Sequence, residues 1–165
     1  MLALVGRGGA GPHDLARMER QQGGLYWSAA DSQWYAEPKR LAELGYLRHR
    51  KEPGRTRERT HYTLTPSGRA ALRRWIAAPT GLPRIQHEGV VRVLAGDIGG
   101  EEALLGSLAS LRAEVAEQRA RLREAEQVAE TLPHRKRYLL LVHRLGHLML
   151  DAHDRWLDEV EAELS

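Results

Sequence analysis

Five basic side chains fall into two groups whose spacing suits contact with a polyanion. Lys39 and Arg40 are adjacent, and three arginines occupy alternate positions further along the chain, Arg55, Arg57 and Arg59. Guanidinium and ammonium groups bind phosphate oxygens, and arginine also enters narrow minor grooves of DNA. The spacing therefore indicates nucleic-acid contact from two places. The alternative is that the arginine run is only the solvated tip of a hairpin.

The distribution of charge supports the first interpretation. Residues 1–82 carry 14 Lys and Arg against 7 Asp and Glu, whereas residues 83–165 carry 11 against 15. Seven of the nine aromatic residues also lie in the first part. The small net charge of +3 is therefore the sum of a basic part and an acidic part. A split of this kind suggests that only the first part contacts nucleic acid.

Other chemistry has little support in the sequence. The chain has no cysteine, so disulfides, thiolate zinc sites and cysteine nucleophiles are excluded. His143, His147 and Asp151 share a helical stripe that could ligate a metal, but the first histidine lacks the glutamate of hydrolytic zinc motifs. The favoured interpretation is that these are polar groups on a helix flank or at the edge of a dimer. We expect no enzyme activity, no metal and no cofactor.

The sequence has no segment suited to a membrane. Its longest apolar run covers residues 138–142, far short of the roughly 20 residues that a membrane span needs. The first residues lack the basic start and apolar length of a signal peptide. We therefore expect a cytoplasmic protein with no membrane partner.

The first part reads as three helices that could position Lys39 and Arg40. A short helix covers residues 1–7, a second begins at Pro12, and a third covers residues 29–44, with Ser28 opening a capping box. Trp34, Pro38 and Leu41 would form the buried stripe of the third helix. The opposite face then presents side chains suited to base edges and phosphates, namely Ser32, Gln33, Lys39 and Arg40.

A hairpin would position the three arginines. Strands are predicted at residues 46–51 and 60–64, with a Pro-Gly turn and a basic tip between them. Thr65 then caps a fourth helix that starts at Pro66. The order of three helices, two strands and a helix is that of a winged helix-turn-helix domain, whose third helix enters the major groove of DNA.

Beyond a break at residues 79–83 the chain is almost entirely helical. We predict helices at residues 85–98, 101–130 and 133–164. In the two long helices apolar residues recur every three or four positions, which is typical of a coiled coil. Gln118 is the polar member of the first stripe, and either sets the register of a helix pair or lies at a solvated kink. The fold class is mainly α with a small β-hairpin, divided into domains at residues 1–80 and 84–165.

Several segments together resemble the PadR-like transcriptional regulators, and the resemblance covers nearly the whole chain. The matching segments are 25–35, 39–41, 44–45, 62–68, 72–75, 85–88 and 94–97. Pro38 is a departure, because family members usually have an apolar residue such as Leu there. The resemblance implies a homodimeric DNA-binding regulator, often a repressor, that a small molecule releases from DNA in some members.

The resemblance also implies roles for individual residues. DNA would be contacted by Ser32, Gln33, Tyr35, Lys39, Arg40, Arg55, Arg57 and Arg59. The dimer would be built by the domain at residues 84–165, through Leu104, Leu108, Leu111, Val115, Leu122, Leu141, Leu145, Leu148 and Trp156.

The function that this pattern favours is sequence-specific binding of double-stranded DNA at a pseudo-palindromic operator. The alternative is a winged-helix module that binds other proteins and not DNA, since a fold does not fix a function. A small-molecule effector would need a pocket. Trp27, Trp34 and Trp75 are its candidate lining residues, although tryptophans are more often core.

Overall fold

The computed structural model describes residues 1–21, 25–26, 29–53 and 58–165. It confirms the predicted fold class, mainly α with one antiparallel hairpin. The helices are α1 (Leu2–Val5), α2 (Pro12–Gln21), α3 (Gln33–Glu43), α4 (Pro66–Ala77), α5 (Glu88–Leu94), α6 (Gly96–Gly99), α7 (Glu101–Glu130) and α8 (Lys136–Leu164). The strands are β1 (Leu47–Glu52) and β2 (Arg59–Leu64).

The described residues divide into two compact units. The first, here called the winged unit, comprises Met1–Arg20 and Tyr26–Leu82. The second, here called the helical unit, comprises Pro83–Ser165 together with Gln21 and Leu25. None of the helices in the described ranges is both long enough and apolar enough to span a membrane.

The core of the winged unit is built around α3. Trp34, Pro38 and Leu41 are buried, as the helical spacing predicts. Trp34 and Leu41 belong to a single cluster with Val5, Ala10, Leu15, Ala16, Leu47, Tyr62 and Leu64. Ala10 is also bound to the hairpin, because its backbone N–H and C=O both form 3.0 Å hydrogen bonds with Tyr62. The turn before α2 is thereby attached to β2.

The start of α3 differs from the prediction, because the helix begins at Gln33 and not near residue 29. Asp31 and Ser32 form a turn, and the amides of Gln33 and Trp34 bond the carbonyls three residues earlier at 2.8 and 3.2 Å. Short polar side chains such as Asp and Ser favour turns and caps over helix interiors. Ser32 is therefore the N-cap residue, and the predicted cap Ser28 lies outside the described residues.

Pro38 lies inside α3, and the helix continues through it to Glu43. Proline has no N–H, so the carbonyl of Trp34 does not receive the hydrogen bond that an α-helix would supply from position 38. An interior proline costs about 3 kcal/mol of helix stability. The burial of Pro38 against the core of the winged unit offsets part of that cost.

Thr65 joins the hairpin to α4 and caps that helix, as predicted. Its hydroxyl donates to the carbonyl of Gly45 at 2.7 Å and accepts from the amide of Gly68 at 3.0 Å. Gly45 has a φ of 75° at the turn into β1, a conformation that favours glycine. Gly68 packs directly on the carbonyl oxygen of Tyr46, so a β-carbon at that position would overlap it.

Two boundaries in the helical unit differ from the prediction. Residues 85–98 do not form one helix, because α5 ends at Leu94 and a turn at Ala95 leads into the short α6. Glycines lower helix stability, and Gly96 lies so close to the Leu104 side chain that a β-carbon would be only 2.9 Å from it. The last helix begins at Lys136, since residues 133–135 form a turn.

The two long helices pack against each other within one chain. Their buried residues include Leu104, Leu108, Val115 and Leu122 of α7 and Leu150 and Leu157 of α8. Arginines of α7 add ion pairs along the edge of this contact. Arg119 donates to Asp151 at 2.7 Å and to Asp154 at 2.6 Å, and Arg112 bonds Asp158 at 2.9 Å. The antiparallel pair is therefore held by an apolar seam with charged sides.

Candidate nucleic-acid interface

All five predicted contact residues of α3 are exposed on one side of the helix. At 3.6 residues per turn they span an arc of roughly 160°, opposite the buried stripe. The set is Ser32, Gln33, Tyr35, Lys39 and Arg40. Burial of Trp34, Pro38 and Leu41 fixes which way this arc faces, so the core of the winged unit determines the orientation of the polar surface.

Arg40 is held by a neighbour on the same helix. Its Nε and Nη2 atoms donate to the two carboxylate oxygens of Glu37, both at 2.8 Å. The hydrogen bond from Arg40 lowers the pKa of Glu37, and the same bond raises the pKa of Arg40. Both groups are charged near neutral pH, so Arg40 presents an oriented guanidinium whose charge is partly balanced.

Lys39 faces a cleft between α3 and β1, which sequence reasoning did not assign. The cleft has a volume of about 570 Å³, and its polar lining includes Lys39, Glu43, Arg48, His49 and Lys51. His49 and Lys51 are on the same strand face as buried Leu47, because side chains alternate along a strand. That alternation was visible in the sequence and could have identified both residues. The cleft thus adds basic groups beside the predicted helix face.

The wing, which is the hairpin of β1 and β2 with the residues between them, is described only in part. Arg59 opens β2, is exposed, and lies 3.6 Å from Glu52. Glu52 also accepts a 2.8 Å hydrogen bond from Arg50, and that bond is the main reason why the pKa of Glu52 is lowered. Arg55 and Arg57 lie outside the described residues. Glu52 and Arg59 pair across the two strands and are the last described pair of the hairpin.

Two of the three predicted ligand-contacting tryptophans line one pocket. Trp34 is 2% exposed and Trp75 is 70% exposed, and both border a pocket between α1, α3 and α4. Trp27 lies outside the described residues. Trp34 also belongs to the core of the winged unit, so it both packs in the core and borders the pocket.

The predicted dimer contacts fall into two groups. Leu104, Leu108, Val115 and Leu122 are buried between α7 and α8 of the same chain, with Leu111 and Trp156 partly buried beside them. Leu141, Leu145 and Leu148 are exposed on the outer face of α8. A heptad stripe predicts that a helix has a partner, and for α7 that partner is its own α8.

The three side chains considered as metal ligands, His143, His147 and Asp151, are buried or contact other residues. His147 Nε2 lies 3.1 Å from Glu126 Oε1, Asp151 accepts from Arg119, and His143 is buried. Among the described residues, no three His, Asp or Glu side chains are grouped as metal ligands would be. The structure therefore offers no support for a metal centre on this stripe.

Comparison with known sequences agrees with this architecture. Residues 85–165 match the family described as "Virulence activator alpha C-term". A stretch of 84 residues is 32% identical to the negative transcriptional regulator PadR of Bacillus subtilis, covering 50% of this chain and 46% of PadR. The chain thus spans about half the length of the curated relative that it matches.

Solved structures extend the similarity to nearly the whole chain. The structure of Bacillus subtilis PadR in complex with operator DNA has a TM-score of 0.82 at 21% identity, covering 99% of this chain and 94% of that one. The same protein in complex with p-coumaric acid gives a TM-score of 0.67 at 22% identity, covering 99% and 93%. The Vibrio cholerae virulence activator AphA gives 0.70 at 28% identity, covering 94% and 90%.

The chain therefore has a winged helix-turn-helix unit followed by a unit with two long helices. More specifically, its fold is that of the PadR of Bacillus subtilis, which agrees with the family resemblance of the sequence motifs.

Proposed function

We propose that this protein is a cytoplasmic, sequence-specific DNA-binding regulator that works by occupying DNA and not by catalysis. The observation that carries the proposal is the exposed arc of α3, in which Gln33, Lys39 and Arg40 project away from a buried Trp34–Leu41 stripe. An α-helix fits the major groove, where Gln and Arg read base edges and Lys and Arg bind phosphates. PadR of Bacillus subtilis, which has the same fold, is a negative regulator with a structure on operator DNA.

Each α3 would enter a major groove, with the wing arginines beside it. The cleft between α3 and β1 places Lys51 and His49 next to Lys39. The sugar-phosphate backbone that borders the major groove would therefore pass between α3 and β1. Arg55, Arg57 and Arg59 would then neutralise phosphates or enter the adjacent minor groove. We infer repression, because a protein that covers an operator obstructs transcription from it.

The protein would bind as a homodimer through the helical unit, whose α8 has an exposed apolar face. The exposed residues of that face recur at helical spacing and are Tyr138, Leu141, Val142, Leu145 and Leu148. An apolar stripe of this length on a long helix is typical of an association surface. Two-fold symmetry then predicts a pseudo-palindromic operator, with half-sites about 34 Å apart.

Release by a small molecule completes the proposal. PadR has been solved with p-coumaric acid, so a relative of the same fold binds a small aromatic acid. That relative does not identify the corresponding effector of this chain.

The proposal is tested by removing charge from α3. Lys39→Ala combined with Arg40→Ala should weaken binding to a DNA fragment from the gene's own upstream region by at least about tenfold, measured by fluorescence anisotropy. The control removes two exposed arginines from the helical unit, Arg123→Ala with Arg155→Ala. If both double variants lost the same affinity, net charge and not the α3 surface would account for binding.

A further inference from the structure

Glu37 and Arg40 form a pair on α3, and this pair fixes the orientation of one side chain of the exposed arc. The Nε and Nη2 atoms of Arg40 donate to the two carboxylate oxygens of Glu37, both at 2.8 Å. The Arg40 side chain is 60% exposed, whereas that of Glu37 is 33% exposed. The carboxylate is therefore the more buried partner, and the guanidinium is the group that a ligand of α3 meets.

The two hydrogen bonds occupy one particular edge of the guanidinium. This group has five N–H donors in one plane, and Nε–H points to the same side as one N–H of Nη2. Glu37 accepts from that side, so the edge formed by Nη1 and the second N–H of Nη2 has no acceptor among the described residues. Two parallel donors on one edge match the two acceptors that guanine presents in the major groove, O6 and N7.

The charge of Glu37 argues against phosphate binding as the main role of Arg40. Phosphate binding depends on net positive charge and needs no fixed side-chain orientation, and a carboxylate beside the guanidinium works against it. The hydrogen bond from Arg40 lowers the pKa of Glu37, so the carboxylate is ionised at neutral pH. An ion pair this exposed also contributes little to folding. Orientation of the guanidinium is the role that fits these observations.

The neighbours of Arg40 leave room for a base to approach. Gln33, Ala36 and Arg40 recur at helical spacing and are all exposed, so they share one stripe of α3. Ala36 has only a methyl group, and it lies between two long polar side chains. The backbone of α3 can therefore lie close to the base edges along this stripe.

We propose that Arg40 reads a guanine in the major groove through Nη1 and Nη2, and that Glu37 is the positioning residue that orients Arg40 without contacting DNA. Each half-site of the operator then contains one G·C pair that this arginine selects. The assignment rests on the proposed function, because it requires α3 to enter the major groove.

Reading by Arg40 is tested with the full chain and a library of random double-stranded DNA, from which bound sites are selected and sequenced. The wild type should enrich a guanine in each half-site, and Arg40→Ala should lose about tenfold of the preference at that position. Arg40→Lys keeps the charge but not the planar fork, so it should lose the same preference while its affinity for unrelated DNA stays within about twofold.

A modified base then identifies the contact. Placing 7-deazaguanine at the selected position removes the N7 acceptor and leaves base pairing and the phosphates unchanged. This replacement should weaken wild-type binding about fivefold and should not affect Arg40→Ala. Equal losses in the two proteins would overturn the contact between Arg40 and guanine.

Glu37→Gln separates positioning from a simple effect of charge. This variant should lower the guanine preference by at least about threefold, whereas its affinity for unrelated DNA should rise slightly because a negative charge is removed. Combined with Arg40→Ala, it should cause no further loss of preference. Glu43→Gln is the matched control, since Glu43 is an exposed glutamate at the end of the same helix. It should leave the guanine preference unchanged.

Failure of the proposed function differs from failure of this assignment. If the wild type enriches no sequence, the proposed function fails and the guanine contact fails with it. If Arg40→Ala enriches the same sites as the wild type, the function stands and the assignment of Arg40 is wrong. If Arg40→Ala loses the guanine but Glu37→Gln retains the full preference, Glu37 forms a surface ion pair only and its positioning role is overturned.

Discussion

The imidazole ring of His87 stacks on that of His153, with ring centroids 5.0 Å apart and planes inclined by 15°. His87 lies at the start of α5 and caps that helix, because its Nδ1 accepts the amide hydrogen of Val90 at 3.2 Å. His153 belongs to α8 and donates from its own Nδ1 to the carbonyl of Met149 at 2.7 Å. The Trp156 ring completes the cluster in an edge-to-face arrangement with His87, with ring centroids 5.4 Å apart. The stack thus attaches α5 to the long helices.

This stack makes the stability of the helical unit depend on pH. Burial, and next the neighbouring His153, lower the pKa of His87 below its ordinary value of 6.5. The unfolded chain therefore binds the proton more readily, so stability is constant well above pH 6.5 and falls as the pH drops through 6.5 towards the folded pKa. His87 also lines a cleft of about 440 Å³, whose other ionisable groups are Glu88, Arg92, Glu114 and His153.

We expect the melting temperature to fall between about pH 7.5 and 5.5, and the fall to be smaller in His87→Asn, which keeps a capping acceptor but does not titrate. Thermal unfolding followed by circular dichroism across this range checks it. His13→Asn, which removes an exposed histidine of α2, should retain the wild-type dependence. An identical pH profile for His87→Asn and wild type would contradict the role of the stack.

A second histidine, His143 of α8, is buried in the helical unit, and one of its ring nitrogens makes no hydrogen bond among the described residues. His143 is 2% exposed, and its Nδ1 has no hydrogen-bond partner in the described part of the chain. Burial lowers its pKa, so the neutral form is retained. Replacing an unpaired buried polar group by an apolar one of similar size removes its desolvation cost.

We therefore expect His143→Leu to stabilise the protein by about 1 kcal/mol near neutral pH. Denaturant unfolding measures this. The comparison variant is His147→Leu, one turn away, which loses the contact with Glu126 and should give no stabilisation. A destabilised His143→Leu protein would contradict this expectation and would mean that Nδ1 has a hydrogen-bond partner.

The exposed face of α8 predicts how the protein associates. A glutamate at its centre, in Leu145→Glu, should convert a dimer into a monomer at micromolar concentration, because the charge would be buried without a partner in the interface. Light scattering coupled to size-exclusion chromatography gives the mass directly. Leu44→Glu is the matched control, since Leu44 is 54% exposed against 52% for Leu145 but lies in the winged unit. Loss of the dimer in both variants, or in neither, would contradict the assignment.

The wing arginines are expected to contribute affinity without sequence preference. Changing Arg55, Arg57 and Arg59 together to alanine should weaken binding to all DNA fragments alike and reduce the slope of log affinity against log salt by roughly 1 for each lost phosphate contact. Titrations at several salt concentrations measure the slope. The control removes three exposed arginines of the helical unit, Arg123, Arg144 and Arg155, and should leave the slope nearly unchanged. An unaltered slope in the wing variant would show that the arginines remain in solvent.

Much of the fold was predictable because local chemistry decides it. Thr65 before Pro66 is a capping residue before a favoured first helical residue, and the structure has that cap. The hairpin was predictable from the alternation of side chains in its strands and from the Pro-Gly dipeptide between them. The exposed arc of α3 follows from helical periodicity alone, even with Pro38 inside the helix.

What the sequence did not predict depends on contacts between distant residues. Heptad spacing in α7 indicates a partner helix but cannot distinguish α8 of the same chain from a second subunit. Trp34 and Trp75 are far apart in sequence, so their shared pocket depends on the packing of α4 against α1 and β2. The turn at Ala95 likewise depends on how closely Gly96 approaches Leu104.

The central claim is that the winged unit reads DNA sequence, and its most direct test compares two DNA fragments of equal length. One is the gene's own upstream region and the other an unrelated coding fragment, each titrated with the wild-type protein at two salt concentrations. The account predicts at least about a thousandfold tighter binding to the upstream fragment at physiological salt, with both affinities falling as salt rises. Equal affinities for the two fragments would contradict it, and would favour a winged-helix module that binds proteins.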